Sequence, residues 1–227
     1  MELLKSMWHY LSTHWGDVAG YIWDHINLCV VSVSIAFVFA VGIAMICRRF
    51  RRIGLVIIGF FNMTYAIPSI AMLSFLLPFT GLGKPTAIIC IVIYEQFLLL
   101  KNIIIGFDSI SPAVVESATG LGMNAMQQFR QIKLPLAMPA IINGVKLAML
   151  SAIGIAVLGA FIGAGGIGLL ITDGMRRDYP AKLVWGTIFS TGLAVLVNQL
   201  FQWLEQLALY KARGGFILSR GKKHVDV

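Results

Sequence analysis

The chain has 227 residues, of which 58% are hydrophobic and only 12% charged, with a formal net charge of +8. That apolar share exceeds the roughly 45–50% of a soluble globular domain, so lipid must be part of the solvent. The positive charge falls in three separate clusters between apolar stretches, a distribution that excludes a nucleic-acid-binding face.

Residues 1–24 place Leu3, Leu4, Met7, Trp8, Leu11 and Trp15 at helical spacing, with His9, Ser12, Thr13 and Asp17 between them. The pattern predicts an amphipathic helix in the outer interface, tryptophans at headgroup depth, acting as an anchor or as a lid. A basic start, an apolar run and a small-residue cut site are all missing from this stretch, so the first span is expected to act as its own insertion signal. His9, His14 and His25 share no helical face with carboxylates, and no metal site is expected.

Five stretches, 25–47, 54–78, 86–106, 136–162 and 183–207, are apolar enough and long enough to cross a hydrocarbon core of about 30 Å, which takes about 20 residues. None alternates in polarity, so they are read as helices and not barrel strands. The expected fold is an all-α integral membrane protein with five transmembrane helices. Cys29, Cys47 and Cys90 lie in these stretches without paired spacing and read as small core residues.

Arg48, Arg49, Arg51 and Arg52 follow the first span. The second contains Pro68, which predicts a kink whose freed backbone groups need compensation from neighbours. Tyr65 and Ser69 beside it make Tyr65, Pro68 and Ser69 candidates for a lined pathway, with simple helix packing as the alternative. The turn at 79–85 brings Gly81, Gly83 and Lys84 together without the G-x4-G-K-[ST] spacing, which occurs nowhere in the chain. Energy must therefore come from a partner or a gradient. Glu95 stands near the middle of the third span, where a lone carboxylate costs several kcal/mol. Two readings follow: an ion pair with Lys101 or Lys146, or a place on the route of a cationic solute.

The stretch 111–135 is the longest polar interval. Ser111 and Pro112 read as an N-cap and first helical position. Gly120 and Gly122 break that helix, and Asn124 with Gln127 forms a capping box that restarts it. The new helix is expected to run to about Leu134 and to end at Pro135. The fourth span carries Lys146 within reach of the aqueous boundary. Its far end holds Gly163, Gly165, Gly166 and Gly168. The G-x-G-x-x-G spacing there is not a dinucleotide site, since no strand precedes it and no acid follows at the required distance. These glycines are expected to allow close approach at a pathway mouth. The charged loop at 173–180 reads as external, either a contact for a soluble partner or a solvated loop, and the basic tail 208–227 as cytoplasmic. Positive residues concentrate after the first and last spans and in the 111–135 stretch. The amino terminus is therefore expected outside, and the hairpin and carboxyl terminus in the cytoplasm.

Glu116, Ser117, Ala118, Gly122, Ile132, Leu134 and Pro135 match the spacing E-A-A-x-x-x-G-(x9)-I-x-L-P, with Ser117 in place of an alanine. This resembles the cytoplasmic motif of ABC importer permeases. Ala66-Ile-Pro-Ser-Ile-Ala-Met-Leu, Gly81-Leu-Gly, Gly120-Leu-Gly-Met and Ala160-Phe-Ile-Gly-Ala-Gly-Gly-Ile-Gly resemble the permeases of quaternary-ammonium osmoprotectant importers, those for glycine betaine, carnitine and choline. Glu95-Gln-Phe-Leu and Lys101-Asn102 depart from that family's pattern. The resemblance implies a type I importer permease of the bacterial plasma (inner) membrane, with residues 25–207 as the permease domain and 107–135 as its coupling loop. It also implies an ABC ATPase dimer carrying ATP and Mg, a second permease copy or paralogue, and an extracytoplasmic solute-binding protein, with no catalysis, cofactor or metal on this chain. Glu116, Ser117, Ala118, Gly122, Gln127, Phe129, Ile132, Leu134 and Pro135 are the implied ATPase-coupling residues. Tyr65, Pro68, Ser69, Glu95, Lys146, Gly163, Gly165 and Gly166 are the pathway candidates. A methionine or amino-acid type permease, a proton-coupled secondary transporter using Glu95 and a non-transporting scaffold stand as alternatives.

Overall fold

The computed structural model describes residues 1–212. Nine α-helices follow one another among them: α1 (Glu2–Arg49), α2 (Arg51–Ala66), α3 (Ser69–Thr80), α4 (Lys84–Asp108), α5 (Pro112–Gly120), α6 (Ala125–Gln128), α7 (Leu134–Gly159), α8 (Gly168–Arg176) and α9 (Pro180–Ala212). A π-helical turn, Phe129–Lys133, joins α6 to α7, and a 3-10 turn, Ala160–Ile162, follows α7. Lys211 falls in the last turn of α9, while Arg213, Arg220, Lys222 and Lys223 of the basic tail lie outside the described residues.

At 48 residues, α1 rises about 72 Å, more than twice the hydrocarbon thickness. His14 has non-helical angles (φ −120°, ψ 22°), so the helix bends there and its amino-terminal part leaves the axis of the span. The amphipathic segment is therefore continuous with the first span. It is tied to the far end of the chain: the Trp185 indole donates to the Met7 carbonyl at 3.0 Å, and Tyr10, Val18 and Leu170 form a small buried cluster.

The second span departs most from expectation. Instead of one kinked helix over 54–78, α2 and α3 are separate and bent by 101°. Pro68 restricts the residue before it to extended geometry, and Pro68 itself is also extended, so two consecutive residues leave the helix (Ile67 ψ 134°, Pro68 ψ 130°). The Ile67 carbonyl freed by the break accepts a hydrogen bond from the Tyr94 hydroxyl of α4. Four helices are long and apolar enough to span a membrane, α1, α4, the continuous run 125–162 and α9, and the bent pair α2–α3 is together long and apolar enough for a fifth, broken span or a re-entrant loop.

The centre of the bundle is α4 against α7. A Cβ at Gly144 would stand 2.6 Å from Asn102 Cβ, and one at Gly106 would stand 2.9 Å from the Ala137 carbonyl, so glycine is what lets the two axes approach. The Asn143 amide donates to Asn102 Oδ1 at 3.1 Å across that contact. α1 packs on the same pair, with the Gln96 amide donating to the Ala36 carbonyl at 3.0 Å. Cys29 and Cys90 are fully buried there as free thiols, and Cys47 is buried near the end of α1. α9 buries only Ala181, Gly186 and Ala208, leaving large apolar side chains such as Leu196 at the bundle surface, where lipid is the natural solvent.

Candidate coupling hairpin and membrane pathway

The hairpin is built from local signals. Ser111 and Pro112 open α5, although the Ser111 side chain makes no capping bond. Gly120 is the last residue of α5 in ordinary geometry, and Gly122 alone takes a left-handed φ of 77°. The backbone N–H of Gly122 donates to Thr119 and that of Met123 to Ala118, which closes the helix end. The capping box is complete: the Gln127 N–H donates to Asn124 Oδ1 and the Asn124 N–H to Gln127 Oε1, both at 2.9 Å. The Gln128 amide reaches back to the Thr119 hydroxyl at 3.1 Å and the Met123 carbonyl at 3.0 Å, lashing α6 to α5.

Pro135 does not end the second helix. The chain widens into the π turn, where the Leu134 N–H donates to the Phe129 carbonyl five residues back, and runs on with Pro135 in the first turn of α7. A proline ring is tolerated in a first turn, and the wider π turn is the means by which α6 joins α7 without a break. Residues 125–162 thus form one continuous helical run.

The expected coupling residues gather on this hairpin. Glu116, Ser117, Gly122, Gln127 and Phe129 are exposed, Ala118 is buried, and Ile132, Leu134 and Pro135 are half-buried where the run enters the bundle. The Ser117 hydroxyl donates to the Ala113 carbonyl at 2.8 Å, so the hydroxyl that replaces the alanine is satisfied within its own helix. Leu121 (82% exposed) and Met126 (59% exposed) were missed in the sequence motif. Two large apolar side chains at the tip of a polar hairpin are a signal the sequence does carry, and they fit a surface covered by another protein.

The pathway candidates are not brought together. Tyr65 and Pro68 lie at the α2–α3 break with Ser69, and the Tyr65 ring stands 6.0 Å from that of Tyr94 and 5.3 Å from that of Phe97. Glu95 is fully buried between α1, α4 and α7, faced by the Ser151 side chain, and its oxygens lack hydrogen-bond partners among the described residues. The expected ion pair is overturned. Lys146 points to α9 and pairs with Glu205 at 2.8 Å, and Lys101 lies over the Phe97 ring at 5.5 Å. Both lysines sit on faces of their helices turned away from the α1–α4–α7 interior.

Gly163, Gly165 and Gly166 form a left-handed cluster at the opposite end from the hairpin, with φ between 75° and 85°. A Cβ on Gly166 would stand 2.8 Å from Nδ1 of the buried His25. Lys84 pairs with Asp24 at 2.9 Å beside Gly165, and the Gly83 N–H donates to the Ile162 carbonyl at 2.8 Å. The expected close approach holds at Gly166 alone; a Cβ on Gly163 would meet nothing within 4 Å and one on Gly165 nothing nearer than 3.8 Å, so those two positions need glycine for their left-handed backbone. Next to them, Asp173 on α8 takes hydrogen bonds from Lys182 and Arg177, which hold its carboxyl below the usual range.

Comparison with known proteins agrees with this architecture. Residues 36–209 match the family described as binding-protein-dependent transport system inner membrane component. The glycine betaine/carnitine/choline transport system permease protein OpuCD of Bacillus subtilis is 32% identical, covering 98% of each chain. OpuCB of the same organism, under the same description, is 29% identical over 93% of this chain and 98% of its own. The carnitine transport permease protein OpuCD of Listeria monocytogenes is 31% identical over 91% of this chain and 93% of its own. In fold, the chain matches the MetNI methionine ABC transporter in an inward facing conformation, with a TM-score of 0.75 at 18% identity, covering 84% of this chain and 95% of that one. A helical bundle of this order, a hairpin of this build and a family match over most of the length lead to one assignment: the chain belongs to the binding-protein-dependent transport system inner membrane components and has the type I ABC importer permease fold.

Proposed function

We propose that this chain is the membrane-spanning permease of an ATP-driven importer that moves a small quaternary-ammonium solute, of the glycine betaine, carnitine or choline type, into the cytoplasm. The observation that carries the mechanism is the unbroken run 125–162, which joins an exposed, doubly capped helix to a central span with no loop between them. A partner that grips Glu116, Ser117, Gly122, Gln127 and Phe129 moves α7 directly, and α4 follows through the Gly106 and Gly144 contacts. ATP and Mg belong to that partner, an ABC ATPase dimer, since this chain has no P-loop. Closure and opening of the dimer then exchange inward-open and outward-open states.

The solute class rests on the names of the relatives, all covering most of this chain at about 30% identity. The membrane is the bacterial plasma (inner) membrane. Arg48, Arg49, Arg51, Arg52, Arg130 and Lys133 all lie at the hairpin end, which supports a cytoplasmic hairpin and an external amino terminus. Residues 1–24 act as an interfacial segment, 25–207 as the permease domain with its coupling loop at 107–135, and 208–227 as a basic cytoplasmic tail. A second permease copy or paralogue completes the channel, and an external binding protein delivers solute to the glycine-rich end. Tyr65, Pro68, Ser69 and Glu95 are kept as pathway candidates, the first two exposed at the α2–α3 break and Glu95 buried in the bundle. Lys146, paired with Glu205, serves the α7–α9 contact.

The test is uptake by the chain purified with its co-isolated partners and reconstituted in vesicles. Uptake of choline, carnitine or glycine betaine should require ATP and the ATPase, and should resist competition by methionine. Uptake that persists without the ATPase, or that methionine abolishes, contradicts the reading.

A further inference from the structure

Phe107, in the last turn of α4, lies between two side chains from other elements. Its ring stacks on that of Phe129, the first residue of the π turn, with centroids 6.1 Å apart and planes 16° apart. The Arg48 guanidinium, from the last turn of α1, stands 4.3 Å from the Phe107 centroid. Both distances are within the ranges at which such contacts attract. Arg48 makes no ion pair among the described residues, although Asp108 lines the clefts on both sides of it. The guanidinium is held by the ring and by no carboxylate. A cleft of about 420 Å³ lined by Arg48, Phe107, Glu116 and Lys133 separates α1 from the hairpin beside the stack, and a second of about 540 Å³ lies on the other side of Arg48 against α2.

We propose that Arg48 and Phe107 are positioning residues for transport, carrying displacement of the π turn sideways through Phe129 into the ends of α4 and α1. The partner's stroke then enters the bundle by two routes. One runs along α7, and the other crosses the stack to α1, the helix whose midpoint holds Asp24 and His25 against the glycine cluster. The stack thereby links events at the hairpin to the far end of the molecule.

This inference rests on the importer reading, and the experiment separates the two. Arg48→Gln, Arg48→Lys, Phe107→Leu and Phe107→Tyr are reconstituted as the full complex, and solute taken up per ATP hydrolysed is measured in the same vesicles, with Gly122→Trp as a control on the hairpin itself. Arg48→Gln and Phe107→Leu should each lower that ratio about fivefold, with the double variant no worse than either. Arg48→Lys and Phe107→Tyr, which keep a cation and a ring, should restore most of it. A mere packing role would not distinguish Gln from Lys at an exposed position. If Gly122→Trp uncouples while Arg48→Gln keeps the full ratio, the importer reading stands and the stack carries nothing. If Gly122→Trp and Arg48→Gln both keep the full ratio, ATP-driven import stands, and neither the hairpin pivot nor the stack carries the stroke. Should Phe107→Leu fail to assemble, the Arg48 pair decides alone.

Discussion

Two prolines, one within the second span and one at the start of the fourth, have opposite effects, and the difference explains how the molecule divides into rigid and broken parts. At Pro68 the chain bends by 101°, while at Pro135 it continues as helix. The sequence reading expected the reverse emphasis, a kink at the first and a stop at the second. The proline ring and its missing N–H are the same in both. The surroundings differ. At Pro68, Ile67 and Pro68 are both extended, and Tyr94 on α4 is placed to take up the freed Ile67 carbonyl, so the break is stabilised from outside its own helix. Just before Pro135, residues Phe129–Lys133 widen into a π turn, and the proline falls in the first turn of α7, where its ring is tolerated and the helix continues. A proline signals where a helix can yield, and the partner groups decide whether it does.

The strongest way to break this comparison is to put a second proline inside the π turn itself. Ile132→Pro should cost about 3 kcal/mol or more of local helix and abolish uptake, with ATP hydrolysis persisting in the complex. Retained uptake would show that α6 and α7 need not move as one. The next effect tests the other proline. Tyr94→Phe leaves the Ile67 carbonyl without its donor and should destabilise the chain by about 1–3 kcal/mol, read as a lower unfolding midpoint in detergent.

A smaller loss is expected from Asn124→Ala, which removes half of the capping box. It should cost about 1 kcal/mol and raise amide exchange in 124–128 before exchange in α7 changes. Equal exchange in both segments would mean that the cap has no separate role. The smallest effect is at the glycine end, away from both prolines. The Asp173 carboxyl is held below its usual range by Lys182 and Arg177, so its contribution is present above the unfolded pKa and is lost as pH falls through the lower folded value. Acidification below about pH 4 should therefore loosen α8, and Asp173→Asn should remove that pH dependence.

What the sequence revealed and what it hid follow the range of the interactions. The capping box and the left-handed Gly122 depend on residues within a few positions of one another, and both were legible. The family was legible too, since its motif sits in that same local stretch. The α2–α3 break was not, because its stabilising partner is 27 residues away on another helix. The Lys146–Glu205 pair was misread for the same reason: 59 residues separate the partners, and no periodicity shows which face of α7 meets α9. Arg48 looked like one member of a basic cluster in the sequence. Only the fold places it on the Phe107 ring. The amphipathic start of α1 was correctly read as helical, yet its fusion with the first span through a bend at His14 had no marker, since histidine neither caps nor breaks a helix.

The rigidity of the run 125–162 is the claim on which coupling depends, and it is directly measurable. Spin labels on the exposed Met126 and Leu147 of the complex, with the three buried cysteines replaced, should lie about 32 Å apart along a continuous helix. That distance should stay the same in the nucleotide-free and ATP-bound states while uptake remains coupled. A distance that changes between those states would mean that the π turn bends under load and that α6 does not drive α7.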